Sequence, residues 1–285
     1  MTHLGQRAVD QLPYRGSFGD PRPPGLAGVA LPPAAMPARD GLRPLKKWRY
    51  VGIYGPELML CIGAVRIGRA HQAFWALWDR RTRELYERTS IGRGSVALAY
   101  GYARVSEPPL EIELELAETA GIETVCRTGD SYAWTRKQGG IAAHATISIA
   151  GSRRQLEGRA VIDDTAAYYE RHTHWRWSAG VGTTNDGRAA AWNLVQGVND
   201  PPRDSERTIW IDGRHTEAPR ADFAADLTAV NDLRFVAEAV RERRDNLLVL
   251  RSSYRQPFGT FSGELAPGLA LAEGYGVMEE HDARW

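Results

Sequence analysis

The side chains best equipped for chemistry concentrate between Asp163 and Asp200. That stretch holds Asp163-Asp164, Tyr168-Tyr169, Arg171, His172, His174-Trp175-Arg176-Trp177, Trp192-Asn193, Gln196, Asn199 and Asp200. A second cluster closes the chain with Glu273, Tyr275, Glu279, Glu280 and His281. In an extended strand alternate residues share a face. Leu269, Leu271, Glu273, Tyr275, Val277, Glu279 and His281 therefore form one stripe that begins apolar, provided no bulge intervenes. A carboxyl on an apolar stripe has a raised pKa and can act as an acid. The plainer alternative is that the strand leaves the core at its end, where these charges are solvated. Glu279 and Asp164 are the candidate acids, with His281 or His172 as the partner that tunes them.

The same alternation sorts residues 173–183. Trp175, Trp177 and Val181 share one face, the expected core side, and His174 and Arg176 share the other. His172 and His174, two apart on a strand, could approach one metal, with His281 as a third ligand. No carboxylate pattern fixes such a site, so local hydrogen bonding or a wet face is the favoured reading, and no metal or cofactor is expected. Asp163 and Asp164 are adjacent, so at most one can enter a cavity. Turn or helix-cap chemistry before Thr165-Ala166-Ala167 is the favoured reading for the pair. No G-x-S-x-G elbow, phosphate-binding G-x-x-x-x-G-K-[ST] loop or H-E-x-x-H occurs. Gly180-Val181-Gly182 and Gly274-Tyr275-Gly276 do not open βαβ units; inside strands such glycines mark bulges or close backbone approach.

The elements that must position these residues read as strands. Leu110-Glu111-Ile112-Glu113-Leu114-Glu115-Leu116 alternates strictly, giving one buried and one wet face. Further strands are expected at 48–54, 57–67, 70–78, 95–105, 122–128, 131–137, 141–149, 155–162, 173–183, 188–198, 207–211, 246–255 and 269–279. Turns at Asp186-Gly187 and Asp212-Gly213 separate neighbours. Residues 233–244 are helical by propensity, but Phe235, Ala237 and Ala239 alternate with polar partners. A strand turning at Arg244-Asp245-Asn246 is the preferred reading. Short strands at roughly ten-residue spacing indicate an all-β sandwich or barrel. Ahead of them, residues 13–44 carry Pro13, Pro21, Pro23, Pro24, Pro32, Pro33, Pro37 and Pro44. Proline lacks a backbone donor, so this arm is either a disordered lead-in or an extended strap, with Leu26, Val29 and Leu31 favouring docking.

Composition narrows the function classes. Lys and Arg total 36 against 35 Asp and Glu, a net charge of +1. That balance argues against nucleic-acid binding, which draws on a basic field. It argues equally against a polybasic membrane anchor. No run approaches the ~18 apolar residues of a membrane helix, and Met1 to Gln11 shows no secretory leader. The expectation is a cytoplasmic protein with no stable membrane insertion. Cys61 and Cys126 could form one disulfide but no framework. The 9 Trp and 11 Tyr against 6 Phe suit a cavity in which rings pack while an N–H or O–H finds a partner, although β proteins favour aromatics in any case.

Several segments carry a resemblance to a bacterial family, domain of unknown function 2804. They are Ser131–Lys137, Val161–Asp164, Thr173–Gly182, Ala191–Val195, Ser205-Glu206-Arg207, Tyr254–Gly259 and Gly274–His281. The family implies no activity. The architecture is more distantly similar to proteins with two lipocalin-like β domains, among them carotenoid hydratases and tocopherol cyclases. Asp163-Asp164-Thr165 is at best a loose counterpart of the hydratases' acidic motif. That likeness implies two consecutive lipocalin-like barrel or sandwich domains, at 48–160 and 161–285, behind a Pro-rich arm at 1–47.

Three functions follow as expectations. The first is binding of a hydrophobic small molecule (lipid, isoprenoid or polyketide) in a β-barrel cavity. Trp175, Trp177, Trp192, Trp210 and Tyr254 would wall it, and Asn193, Arg255 and Glu279 would orient the ligand. The second is an acid-catalysed hydratase, cyclase or isomerase acting on such a molecule, with aromatic faces steadying a developing cation. The third is carbohydrate binding on an open aromatic platform. Whether the protein is an enzyme is left open by the residues alone.

Overall fold

The computed structural model describes residues 10–92, 94–108, 110–149, 151–247 and 250–284. Alternation becomes structure most directly at Leu110–Leu116. There Leu110, Ile112, Leu114 and Leu116 are buried and the three glutamates between them are exposed. Every regular element among the described residues is a strand, apart from a single 3₁₀ turn at Pro24–Leu26.

The first sheet draws on β1 (Tyr14–Ser17), β4 (Lys46–Tyr54), β5 (Leu58–Ile67), β6 (Ala70–Asp79), β7 (Glu84–Ile91), β8 (Val96–Ala99), β9 (Tyr102–Glu107), β10 (Leu110–Leu116), β11 (Ile122–Thr128), β12 (Ser131–Ile149) and β13 (Ser152–Ala167). A small separate hairpin joins β2 (Arg39–Asp40) to β3 (Arg43–Pro44). The main path runs β7-β6-β5-β4-β13-β12-β10-β9-β8, with β11 on the other half of β12 and β1 on its outer edge. The sheet curls until β8 lies against β5 and β6. Its concave face is filled by Val51, Ile53, Leu60, Ile62, Trp75, Leu77, Val105, Ile112, Leu114, Ile147, Ile162 and their neighbours.

The second sheet is built from β14 (His172–Thr184), β15 (Ala189–Gln196), β16 (Thr208–Ile211), β17 (Arg214–Glu217), β18 (Ala229–Val230), β19 (Leu233–Leu247), β20 (Leu250–Ala266) and β21 (Leu269–Arg284). Its order is β17-β16-β15-β14-β21-β20-β19-β18, and pairing is antiparallel in both sheets. One face packs on itself through Trp192, Phe235, Phe261 and Met278. The other packs on the convex face of the first sheet. Tyr50, Tyr54, Met59, Cys61 and Val161 meet Trp175, Trp177, Val195, Trp210, Phe258 and Val277 in one shared layer.

Several expectations are refined. Residues 95–105 are two strands turning at Tyr100-Gly101, and 131–137 and 141–149 are one continuous strand interrupted by a bulge. Residues 84–91, 214–217 and 257–266, given no strand in the sequence reading, all belong to ladders. Residues 233–247 are a strand as preferred, but they continue past Arg244-Asp245-Asn246 before the chain reverses. The arm is the strap rather than the lead-in. Tyr14–Ser17 pairs with Ile122–Val125, and Leu26 and Leu31 are buried against Tyr132, Trp134 and Tyr168. The first nine residues, where no leader was read, lie outside the described residues. Cys61 and Cys126 are both buried free thiols.

Candidate functional site

Where the two sheets part at one end of the shared layer, a cavity opens between them. Its volume is about 160 Å³. Its apolar walls come from Val65, Ile67 and Phe74 on the first sheet and Trp175, Trp177 and Val195 on the second. Alternation aims each of them: Trp48 and Tyr50 on β4, and Trp175 and Trp177 on β14, are i, i+2 pairs facing across the gap. Tyr169, Trp48 and Trp175 stack in sequence, with centroids 5.8 and 6.2 Å apart and planes within 21° and 10°. His281 lies against Trp175, its ring centroid 4.3 Å away and its plane tilted by 59°. Because these rings face one another, they leave no open platform of the kind a sugar would stack on.

Two polar clusters stand out among the charged and polar groups in the lining. The first centres on Glu279, on β21. Trp175 Nε1 donates to its Oε1 at 2.9 Å and Gln256 Nε2 to its Oε2 at 2.8 Å. Burial pushes its carboxyl up to about 7, against the opposing effect of the donors Trp175, Tyr254 and Gln256. Near neutrality it therefore exists in both protonation states, the condition for general acid–base work. Two residues on, His281 is pulled down to about 4 by burial and so stays neutral, with Nε2 at 2.7 Å from Ser252 Oγ.

The second group centres on Lys137, 2% exposed. Its Nζ lies 2.6 Å from Asp163 Oδ1 and 3.3 Å from Glu206 Oε1. Burial works against the ammonium charge, but the two carboxylates outweigh it and hold its pKa above the usual lysine value. Asp163 also accepts from Trp48 Nε1 at 3.2 Å and Thr165 Oγ1 at 2.9 Å. Glu206 Oε2 accepts from Asn199 Nδ2 at 3.1 Å, and that amide also reaches Tyr169 Oη at 2.5 Å. A fully paired buried charge cluster of this kind fixes geometry, here between strands of the first sheet and the loop that follows β15.

Of the residues singled out in the sequence, Glu279, His281, Trp175, Trp177 and Tyr254 line the cavity. Asn193 is buried behind it, accepting from Trp177 Nε1 at 2.8 Å. Trp210 packs in the shared layer against Gly139. Four others lie elsewhere. Asp164 is next to Asp163 in a regular strand, so it points to the opposite face, where it pairs with Arg49 at 2.8 Å. The turn or cap reading of this pair is corrected: both are mid-strand residues of β13. His172 is exposed and bonds Asp282 at 2.9 Å. Trp192 belongs to the far face of the second sheet, and Arg255 is exposed beside Glu242. His174 sits on the same outer face as His172, bonded to Glu280, so neither reaches His281. No cluster of metal-ligating side chains occurs among the described residues. The cavity also lies between the sheets rather than inside a barrel, because the first sheet's concave face is packed with side chains.

Sequence reasoning gave no site role to Trp48, Lys137, Tyr169, Glu206, Arg241 or Gln256. For Lys137 the signal was present: Ala133, Thr135 and Lys137 continue a small, apolar face into a charge, the pattern that marked Glu279. Arg241 follows Ala239 on the same face, but a register shift between Ala237 and Ala239 places Phe235 in the opposite core, so alternation counted from Phe235 aims Arg241 the wrong way. Glu206 sits in a loop, where no periodicity speaks for it.

No curated protein matches the chain. Among solved structures, a protein of Nitrosomonas europaea described as AttH covers 89% of this chain and 98% of its own, at 15% identity and a TM-score of 0.49. Kievitone hydratase from Nectria haematococca covers 82% and 88%, at 10% identity and 0.47. CghA covers 95% and 97%, at 10% identity and 0.38. The family described as a domain of unknown function, DUF2804, matches residues 92–285. That span carries Lys137, Asp163, Glu206, Arg241, Glu279 and His281, all of which line the cavity, and the chain belongs to this family.

Proposed function

We propose that the cavity between the sheets binds a small, mostly apolar, unsaturated molecule, and that Glu279 exchanges a proton with it. The observation that carries the proposal is a buried carboxyl, raised to about 7, facing a cavity walled by indoles. Walls of Trp48, Trp175, Trp177, Phe74 and Val65 favour an apolar ligand by area alone. A carboxylic acid held among them can protonate a carbon–carbon double bond, and indole faces stabilise the cation that results. The Trp175 N–H and the Gln256 amide hold the carboxyl in one orientation, so it is aimed before the ligand arrives. Acid-catalysed hydration, cyclisation and isomerisation of an isoprenoid or polyketide begin with that step.

Native mass spectrometry of the protein purified from its own host tests the binding half. A co-purifying lipophilic molecule is expected. If none is found, and indole fluorescence is unchanged by a panel of isoprenoids, fatty acids and polyketides, the proposal is wrong. With a ligand in hand, Glu279→Gln keeps the shape and the Trp175 hydrogen bond. It should bind normally and lose turnover by about 10²–10⁴-fold.

A further inference from the structure

Arg241, on β19, is 5% exposed and lines the same cavity. Its guanidinium plane is held between Phe74 and Tyr254, with its carbon 4.8 and 5.5 Å from the ring centroids. Nε donates to Glu87 at 3.0 Å. Nη1 makes three long contacts, to Tyr254 Oη and Gln256 Oε1 at 3.4 Å and to Cys61 Sγ at 3.5 Å. Nη2 has no hydrogen-bond partner among the described residues, and it is not one of the sealed-off polar atoms. A buried, aromatic-clamped arginine with one face of its fork unfilled is built to accept an oxygen from outside the chain. The amide of Gln256 links this fork to the acid, accepting from Arg241 on one side and donating to Glu279 at 2.8 Å on the other.

We infer that Arg241 Nη2 holds an sp² oxygen of the ligand, so that the molecule bound between the sheets is a lipophilic carbonyl or carboxylate compound and not a plain hydrocarbon. The inference rests on the binding reading above and narrows it. A hydrocarbon would leave the Nη2 protons facing an apolar body with no acceptor, a cost that selects against it. An oxygen seated there places its neighbouring carbons toward Glu279, the acid on the other side of Gln256.

Three probes of matched size decide it: benzylideneacetone, cinnamate and (E)-1-phenyl-1-butene, each titrated against indole fluorescence. Wild type should bind one of the two oxygen-bearing probes about ten- to a hundredfold more tightly than the hydrocarbon. Cinnamate ahead assigns a carboxylate, and benzylideneacetone ahead a neutral carbonyl. Arg241→Met should erase the preference. The infrared carbonyl stretch of ¹³C-labelled benzylideneacetone should move to lower wavenumber on binding wild type and stay put on the variant, which a merely structural role would not produce. Arg241→Lys keeps the charge beside Glu87 and should fold even if the Met variant does not, losing most of the preference with the fork. Hydrocarbon binding as tight as the oxygenated probes, or a preference and stretch unmoved in both variants, overturns the inference and leaves the cavity reading standing. Failure of all three probes to bind overturns both.

Discussion

Glu279 and His281 lie two residues apart on one face of β21, with the Trp175 indole donating to one and packing against the other. Burial disfavours the charged form of each and so moves their pKa values in opposite directions. Between pH 4.5 and 7 the folded chain keeps a proton on Glu279 that the unfolded chain has released, so this residue makes stability fall as pH rises. Between pH 4 and 6.5 the unfolded chain takes up a proton on His281 that the fold refuses, so this residue makes stability rise. Each shift corresponds to about 3 kcal/mol, and in the shared window the two slopes oppose and nearly cancel. Glu279→Gln should therefore unmask a stability that climbs with pH relative to wild type, and His281→Asn one that declines. Urea unfolding of the three proteins across that window measures it; parallel curves would show that the pair is not buried as described. Lys137 makes a separate prediction. Lys137→Met leaves Asp163 and Glu206 facing each other without their shared cation, which should cost about 3–5 kcal/mol. A midpoint within error of wild type would mean the cluster is hydrated. Alternation with Tyr275 and Val277 aims Glu279 and His281 at the cavity, although Leu269 and Leu271, which began the stripe in the sequence, belong to the opposite core. Sequence reasoning named Asp164 of the Asp163-Asp164 pair, whereas the packed sheet turns Asp163 to the cavity and Asp164 to Arg49, a choice that depends on which face meets the second sheet.

At the scale of elements, one bulge decides where the charges go. In an unbroken strand Lys137 and Ile141 would share a face, and either the ammonium would enter the first sheet's core or Ile141 would leave it. The register shift between Gly139 and Ile141 inserts one residue, so Lys137 faces the second sheet and Ile141 the core of the first. Gly140 supplies the left-handed turn at φ +72°. Gly139 supplies space, since a Cβ there would stand 2.4 Å from the Trp210 ring. Gly139→Val should cost about 1–3 kcal/mol by overpacking a rigid indole, and Trp210→Leu in the same chain should recover part of it. Equal stabilities for Gly139→Val and wild type would show that the two sheets can shift apart there. The Gly139-Gly140 pair was visible in the sequence as an interruption, but as a boundary between two strands rather than a bulge within one. The closing strand carries the same lesson. Tyr275, Val277, Glu279 and His281 face the shared layer or the cavity, while Leu271 joins the opposite core. The irregular pairing of Thr183-Thr184 with Glu273 and Leu271 breaks the stripe that strict alternation drew. Strand type was legible because alternation is local; bulges depend on what the partner strand and the facing sheet demand.

For the whole molecule, the layer that makes the cavity is also what joins the halves. Tyr50, Tyr54, Met59, Cys61 and Val161 from the first sheet are buried on Trp175, Trp177, Trp210, Phe258 and Val277 from the second. Charged ties cross the same boundary: Lys137 to Glu206, Arg241 to Glu87, and Arg80 to Glu238 at 2.7 Å, where Trp78 Nε1 also donates at 3.0 Å. Neither sheet can leave without exposing indoles and stranding buried charges, so their unfolding should be coupled. Trp75 lies in the core of the first sheet and Trp192 in that of the second, which supplies two reporters. The difference in urea-unfolding fluorescence between wild type and Trp75→Phe reports on the first sheet, and that between wild type and Trp192→Phe on the second; both should melt together with the loss of β-sheet circular dichroism. Trp177→Ala removes a residue of the shared layer and should lower the midpoint for both sheets together, by about 3–5 kcal/mol of stability. A variant in which one sheet melts early while the other keeps its wild-type midpoint would separate the halves. It would also remove the reason for expecting a ligand bound between them to raise the stability of the entire chain by RT ln(1 + L/Kd), where L is the free ligand concentration.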